Sequence, residues 1–160
     1  MKVCVFCGSS SGNNEIYTKV ARELGKQLAD NKIELVYGGA SIGVMGELAN
    51  AVLENNGKVY GVMPGHLVDW EVGHKGLTEF LVVDSMHERK EKMYELSDCF
   101  VSLPGGLGTL DEMFEILTWA QLKLHHKPSW LLNTNKFYDA LWAHINGAIK
   151  EGFVRESDLQ

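Results

Sequence analysis

Cys99-Phe100-Val101-Ser102-Leu103-Pro104-Gly105-Gly106-Leu107-Gly108-Thr109-Leu110-Asp111-Glu112 runs from a short apolar stretch through a glycine-rich turn into a longer patterned segment. Cys99–Leu103 reads as a buried strand. Leu110–Leu124 reads as a helix, with apolar residues around much of its circumference. Strand, glycine turn and helix form the repeating unit of a parallel sheet with helical crossovers.

The same unit recurs along the chain. Lys2–Phe6 predicts a strand, followed by the Gly8–Gly12 turn and a helix over Asn14–Asp30. That helix places Ile16, Val20, Leu24 and Leu28 four apart on one face. Ile33–Tyr37 and Lys58–Val62 predict strands on either side of a helix over Val44–Asn55. Glu79–Val83 predicts a fourth strand, and a helix follows from about Met86 to Ser97. Trp130–Leu132 and Phe137–Glu151 complete the pattern as strand and helix. Right-handed crossovers turn this order into an α/β doubly wound parallel sheet with helices on both faces, expected as one domain over 1–160. Ligands of such sheets bind beyond the carboxyl ends of the strands. Gly8–Gly12, Gly38–Gly46 and Pro104–Thr109 all follow strands, so all three are expected on one edge. Pro64–Thr78 is the longest irregular stretch and is expected to form a lid or pocket wall.

Composition narrows the partners. The chain has 160 residues, 45% apolar and 22% charged, which suits a domain with a real core. No apolar run is long enough to span a bilayer. The start at Met1-Lys2-Val3-Cys4-Val5-Phe6 looks like a signal sequence but is too short, so a buried strand is expected and a cytoplasmic location with it. Cys4, Cys7 and Cys99 are odd in number, which argues against a disulfide framework. Cys4 and Cys7 have C-x-x-C spacing, but an extended strand points them to opposite faces, so no metal site is expected. A net charge of -6 argues against nucleic acid, though not against one small phosphorylated ligand.

Three segments carry candidate chemistry. Tyr37-Gly38-Gly39-Ala40-Ser41-Ile42-Gly43-Val44-Met45-Gly46 joins a strand to a helix, and reads equally as a phosphate loop or a tight packing turn. It lacks G-x-G-x-x-G spacing, so a nicotinamide cofactor is not expected. In the opening segment, the amides of Gly106 to Thr109 can form an anion nest, with Thr109 as helix cap and hydroxyl donor. Glu112 then falls about one turn into the helix, behind the nest. Ser85-Met86-His87-Glu88-Arg89-Lys90 opens a further helix, and Arg89 and Lys90 lie where a helix dipole favours acids, which suggests an anionic ligand.

These three segments together resemble the LONELY GUY (LOG) family, the cytokinin riboside 5′-monophosphate phosphoribohydrolases. Pro104–Glu112 is similar to its P-G-G-x-G-T-x-x-E signature, and Met86–Lys90 to its M-H-x-R-K motif. Glu71–Thr78, Thr118–Gln121, Lys127-Pro128 and Leu131–Asn133 extend the likeness over nearly the whole chain. The resemblance implies a Rossmann-like fold, a homodimer, and no cofactor. It implies a nucleoside monophosphate substrate, either adenosine monophosphate or its N6-prenylated forms, cleaved to free base and ribose 5-phosphate. Arg89 and Glu112 match the catalytic pair. Lys90, Gly105, Gly106, Gly108, Thr109 and Thr118 match substrate contacts. Gly39, Glu71, Met86 and Asp111 are further candidates to reach the ligand.

Other readings stay open beside this one. A general AMP nucleosidase, or a carrier that binds a nucleotide or molybdenum cofactor without hydrolysis, fits the same loops. The family is often called lysine decarboxylase, but no lysine is placed as a Schiff-base partner for pyridoxal phosphate. Two positions depart from the family pattern: Ala40 stands at a frequent third glycine, and Lys123 at another frequent glycine after Gln121. The apolar spread of Leu110–Leu124 fits either a second packed helix or a partner chain.

Overall fold

Side chains alternate along the first strand, and two layers of helix follow from that alternation. Val3 and Val5 face one apolar cluster, while Cys4 and Phe6 face the other. The computed structural model describes residues 1–68 and 72–156. Among them, six strands form one parallel sheet: β1 (Lys2–Phe6), β2 (Glu34–Tyr37), β3 (Val59–Pro64), β4 (Glu79–Val83), β5 (Cys99–Ser102) and β6 (Ser129–Leu131). The helices between and after them are α1 (Ile16–Asp30), α2 (Gly43–Glu54), α3 (Met86–Leu96), α4 (Leu107–Gln121) and α5 (Asp139–Lys150). The expected doubly wound, Rossmann-like fold is present.

Ala21 and Leu28 of α1 and Val44, Leu48 and Val52 of α2 cover Val3, Val5, Leu35 and Val59 on one face. Met93 of α3 and Ile116 of α4 cover Cys4, Phe6, Val36 and Phe100 on the other. Each such aliphatic side chain contributes roughly 1.5–3 kcal/mol by leaving water. The cysteines are free and buried, and Cys4 and Cys7 do fall on opposite faces.

The strand order is β4-β3-β2-β1-β5-β6. The chain therefore moves outward from β1 to β4, then crosses back to β5 and β6. The order reverses between β1 and β5, and a crevice opens there at the carboxyl ends. The loops after β1 and β5 flank that crevice. They touch closely: a β-carbon on Gly8 would lie 3.4 Å from the Gly105 Cα.

Helix ends differ from expectation in one consequential place. α4 spans Leu107–Gln121 and not Leu110–Leu124. Leu107-Gly108-Thr109 enters the helix although Gly108 is a poor helix former, because the loop docks on Gly8 in the turn after β1. Gly106 is thus the cap residue, and Thr109 is the third residue of the helix, not its cap. At the other end Lys123 lies beyond the helix with φ 60°. Leu124 N donates to Trp119 O and Lys123 N to Ala120 O, each across 2.9 Å, which is the Schellman arrangement. A left-handed residue is required there, the conformation that glycine adopts most readily. Ala40 carries no such demand: it forms a bridge with Gly73 and tolerates a side chain.

Candidate active site

Three strand ends and one helix start build the site. Arg89 and Met93 sit four apart on α3, and both are buried against the sheet. Arg89 is only 5% exposed. Its Nε donates to Val62 O across 3.1 Å, and its Nη2 to Gly38 O across 2.8 Å. Two main-chain carbonyls, one just past β2 and one within β3, thus fix a buried cation. Met86, exposed at the start of α3, places its sulfur 3.8 Å from Arg89 Nη1. Gly38 must lack a side chain, because Arg89 Nη2 fills the space of a β-carbon.

α3 and α4 begin differently. The Ser85 hydroxyl accepts from Glu88 N across 3.1 Å, and Glu88 Oε2 accepts from Asp84 N across 2.8 Å. This resembles a capping box and closes the start of α3 with its own side chains. At α4 the cap residue is Gly106, which has no side chain to accept a bond. The amides of the first α4 turn therefore remain a positive end suited to an anion. α2 resolves the open reading of its glycine turn. Met45 N donates to Gly8 O across 3.2 Å, and a β-carbon on Gly43 would overlap Ser9. The Gly43 end of the segment is a packing turn, while the Gly38 end belongs to the site.

Thr109, Met113 and Ile116 form the buried stripe of α4. Glu112 lies three residues after Thr109 on the edge of that stripe, five residues beyond Leu107 and so about one and a half turns into the helix. Arg89, Glu112, Gly38, Gly106, Gly108 and Thr109 line one pocket of about 180 Å³. Cys7, Gly8, Ser9 and Met45 line it as well. The pocket sits in the crevice where the strand order reverses. Burial pushes the Cys7 thiol far above its ordinary pKa, and Glu112 pushes it further, so Cys7 is an inert wall. Cys4 is raised in the same way, and there the charge of Glu112 raises while that of Arg89 lowers.

The remaining candidates stand elsewhere. Lys90 bridges α3 to α4, with its Nζ 3.2 Å from Asp111 Oδ2 and 3.0 Å from Glu115 Oε1. Partial burial pulls the Lys90 pKa down, but its bonds to Glu115 and Asp111 outweigh that and leave it raised. Asp111 is exposed on the same helix stripe as Glu115 and the exposed Thr118, beside the pocket rather than in its wall. Gly39 has φ 86°, and its carbonyl accepts from His74 N across 2.9 Å. With the Ala40–Gly73 bridge and the Ser41 hydroxyl bond to Val72 O, this laces residues 72–74 to the β2 turn. The described residues of Pro64–Thr78 include one turn of 3-10 helix at Gly65–Leu67, and none of them lines the pocket that holds Arg89 and Glu112. Glu71 lies outside the described residues. Among the described residues, no group of three or more His, Cys, Asp or Glu is placed to hold a metal.

Sequence reasoning missed Gly8, Ser9, Cys7 and Met45. Cys7, Gly8 and Ser9 reach the pocket because the sheet places the loop after β1 beside the loop after β5, and Met45 reaches it from α2, where its N–H donates to Gly8 O. The Gly8-Ser9 turn after the first strand was the available signal.

Comparison with known proteins agrees with the motifs. Residues 45–160 match a family model described as possible lysine decarboxylase. The probable cytokinin riboside 5′-monophosphate phosphoribohydrolase LOGL9 of Oryza sativa subsp. japonica is 51% identical over 156 residues, covering 98% of this chain and 69% of that protein. The cytokinin riboside 5′-monophosphate phosphoribohydrolase of Rhodococcoides fascians is 49% identical over 153 residues, covering 95% of this chain and 77% of its own length. Against LOGL5 of Oryza sativa subsp. japonica, 50% identical, the chain spans 62% of the relative's length. Among solved structures, the molybdenum cofactor carrier protein of Chlamydomonas reinhardtii superposes with a TM-score of 0.72 at 26% identity, over 91% of this chain and 84% of that one. The molybdenum cofactor binding protein of Rippkaea orientalis, at 23% identity and the same TM-score of 0.72 over 91% and 84% of the two chains, shares the fold. On identity and coverage together, the chain belongs to the LONELY GUY family of cytokinin riboside 5′-monophosphate phosphoribohydrolases.

Proposed function

We propose that this chain hydrolyses the N-glycosidic bond of adenosine 5′-monophosphate or its N6-prenylated forms, releasing the free base and ribose 5-phosphate. One observation carries the reading. A buried fixed cation, Arg89, a carboxylate, Glu112, and an uncapped helix start line the same small pocket. Relatives at 45–51% identity are named for this reaction.

The chemistry follows from the charges. Breaking the bond from ribose C1′ to the base leaves positive charge on the sugar and sends the bonding electrons out with the base. A carboxylate fixed beside the sugar stabilises that cation, and this is the role of Glu112. The amides of Gly106, Leu107, Gly108 and Thr109 hold the 5′-phosphate, supplying binding energy remote from the reacting bond. Arg89 steadies the anionic parts of the nucleotide from the opposite wall. A water oxygen forms the new bond to C1′, and a solvent proton completes the departing base. Asp111 is held by Lys90 outside the pocket wall, so solvent is the better proton source.

The decarboxylase description fits the site poorly. A Schiff base with pyridoxal phosphate needs a lysine amine in the pocket, and none is among its described lining residues. Lys90, next to Arg89, is ion-paired with a raised pKa, the reverse of an activated amine. Glu112→Gln tests the hydrolase reading. It keeps shape and removes charge, so the fold stays intact by circular dichroism while turnover falls about 10²- to 10³-fold. Near-normal turnover refutes the role of Glu112.

The protein acts as a homodimer in this reading. Phe114 of α4, Leu122 just past its end, Trp130 and Trp142 expose apolar surface that a second copy would cover. Sedimentation equilibrium at twice the chain mass supports the pair, and a monomer at micromolar concentration contradicts it. The reading also places the enzyme in the cytoplasm, consistent with three unpaired thiols.

A further inference from the structure

Tyr138 lies just before α5, away from the wall of the pocket, yet it touches the segment that enters the phosphate loop. Its side chain is buried, and its hydroxyl donates to Leu103 O across 2.6 Å. Leu103 is the last residue before Pro104-Gly105-Gly106. Its N–H is committed to Phe6 O across 2.9 Å, and its carbonyl lies in a buried place where a partner is needed. Tyr138 supplies one.

Tyr138 is itself held. Its N–H donates to Asn133 Oδ1 across 2.8 Å, and Asn133 Nδ2 donates to Asp139 Oδ1 across 2.6 Å. The Phe137 ring packs edge-on at 4.9 Å between centroids. Tyr138 also lines a cleft together with Gly105, Gly106 and Leu107, on the flank of the loop. Burial pushes the phenol pKa up to about 12, which keeps the hydroxyl a donor through neutral pH.

We infer that Tyr138 is a positioning residue that holds the Gly105–Thr109 loop in its phosphate-binding form. The physical need is clear. Gly105, Gly106 and Gly108 let the backbone approach an anion, but they also give the unbound loop many conformations. Fixing the Leu103 carbonyl removes that freedom where the loop leaves the sheet. Only the fraction of molecules with aligned amides binds well, so anchoring raises apparent affinity for the phosphate. The inference rests on the proposed reading of this loop as the 5′-phosphate cradle.

Tyr138→Phe keeps the ring and removes the donor. KM for AMP and the inhibition constant of ribose 5-phosphate should rise together, about three- to tenfold, the range of one lost hydrogen bond. The kcat should stay within about twofold of the original, because neither Arg89 nor Glu112 is disturbed. Affinity for adenosine, which lacks the phosphate, should not change. Ile145→Ala, a cavity on α5 two turns further on, controls for stability: it should lower Tm without moving any of these constants. The inference is overturned if Tyr138→Phe lowers Tm but leaves KM and the ribose 5-phosphate constant unaltered, or weakens adenosine as much as AMP. Calorimetric affinities for AMP, ribose 5-phosphate and adenosine give the same comparison without turnover. A wild-type chain that binds AMP but releases no base therefore fails the hydrolase reading alone. A chain that binds neither AMP nor ribose 5-phosphate overturns both.

Discussion

Arg89 on α3 donates from Nη2 to the Gly38 carbonyl at the end of β2 across 2.8 Å, and that nitrogen fills the space of a β-carbon on Gly38. A glycine and an arginine 51 residues apart therefore behave as one unit. The pair links the second glycine segment to the chemistry although Gly38 offers no functional group.

Gly38→Ala tests that unit. The new methyl group displaces the guanidinium from its carbonyl anchors, while Arg89 itself remains. We expect kcat/KM to fall at least about tenfold, equivalent to about 1.4 kcal/mol of lost transition-state stabilisation. Arg89→Ala in the same background should then cost little more, because the two changes are coupled. Independent, additive losses measured in the double-mutant cycle would contradict the coupling.

Lys123→Gly addresses the end of α4. Lys123 occupies the left-handed position of a Schellman turn, where a β-carbon is strained. Glycine should raise stability by about 1 kcal/mol in urea unfolding, with no change in KM for AMP. A loss of stability would show that the lysine side chain makes an interaction of greater value than the strain it brings.

His74 gives the molecule a pH dependence with a defined sign. Its Nδ1 accepts from Gly76 N across 3.0 Å, so Nε2 carries the proton toward Asn50 Oδ1, also 3.0 Å away. Burial lowers its pKa below the ordinary 6.5. The unfolded chain thus takes up a proton first as pH falls. The stability of the neutral histidine is complete above pH 6.5 and is lost as pH drops below that value toward the folded pKa. Tm measured between pH 8 and pH 5 should fall more steeply for the wild type than for His74→Gln. Parallel curves would remove His74 from the account.

Much of this was legible in the chain itself. β1 and β4 fall where their apolar runs predict, because each is a short run rich in Val between polar turns, although β1 is central and buried and β4 is the sheet edge. The motifs around Arg89 and Glu112 marked both walls of the pocket. The start of α4 was less legible, because glycine is a weak helix former and Gly106-Leu107-Gly108 reads as loop. Tertiary docking against Gly8 decides it, and that contact spans nearly a hundred residues of sequence. Lys90 and Asp111 read as ligand-facing charges, and their pairing with each other across two helices appears only once the helices are packed. Tyr138 carried no signal at all. Its hydroxyl bond to Leu103 joins segments 35 residues apart, and a tyrosine at the start of a helix has no pattern that foretells it.

The central claim is that this pocket breaks a nucleotide's glycosidic bond. The direct measurement is to incubate the purified chain with AMP and with isopentenyladenosine 5′-monophosphate, and to quantify free base and ribose 5-phosphate. The account predicts release of both products in equal amounts from at least one of the two nucleotides, and a faster release from the prenylated one would mark a cytokinin-activating enzyme. Comparable rates from both substrates would make the enzyme a general nucleotide nucleosidase. Recovery of both nucleotides intact, with binding demonstrated, would contradict the account and leave a carrier on the same fold.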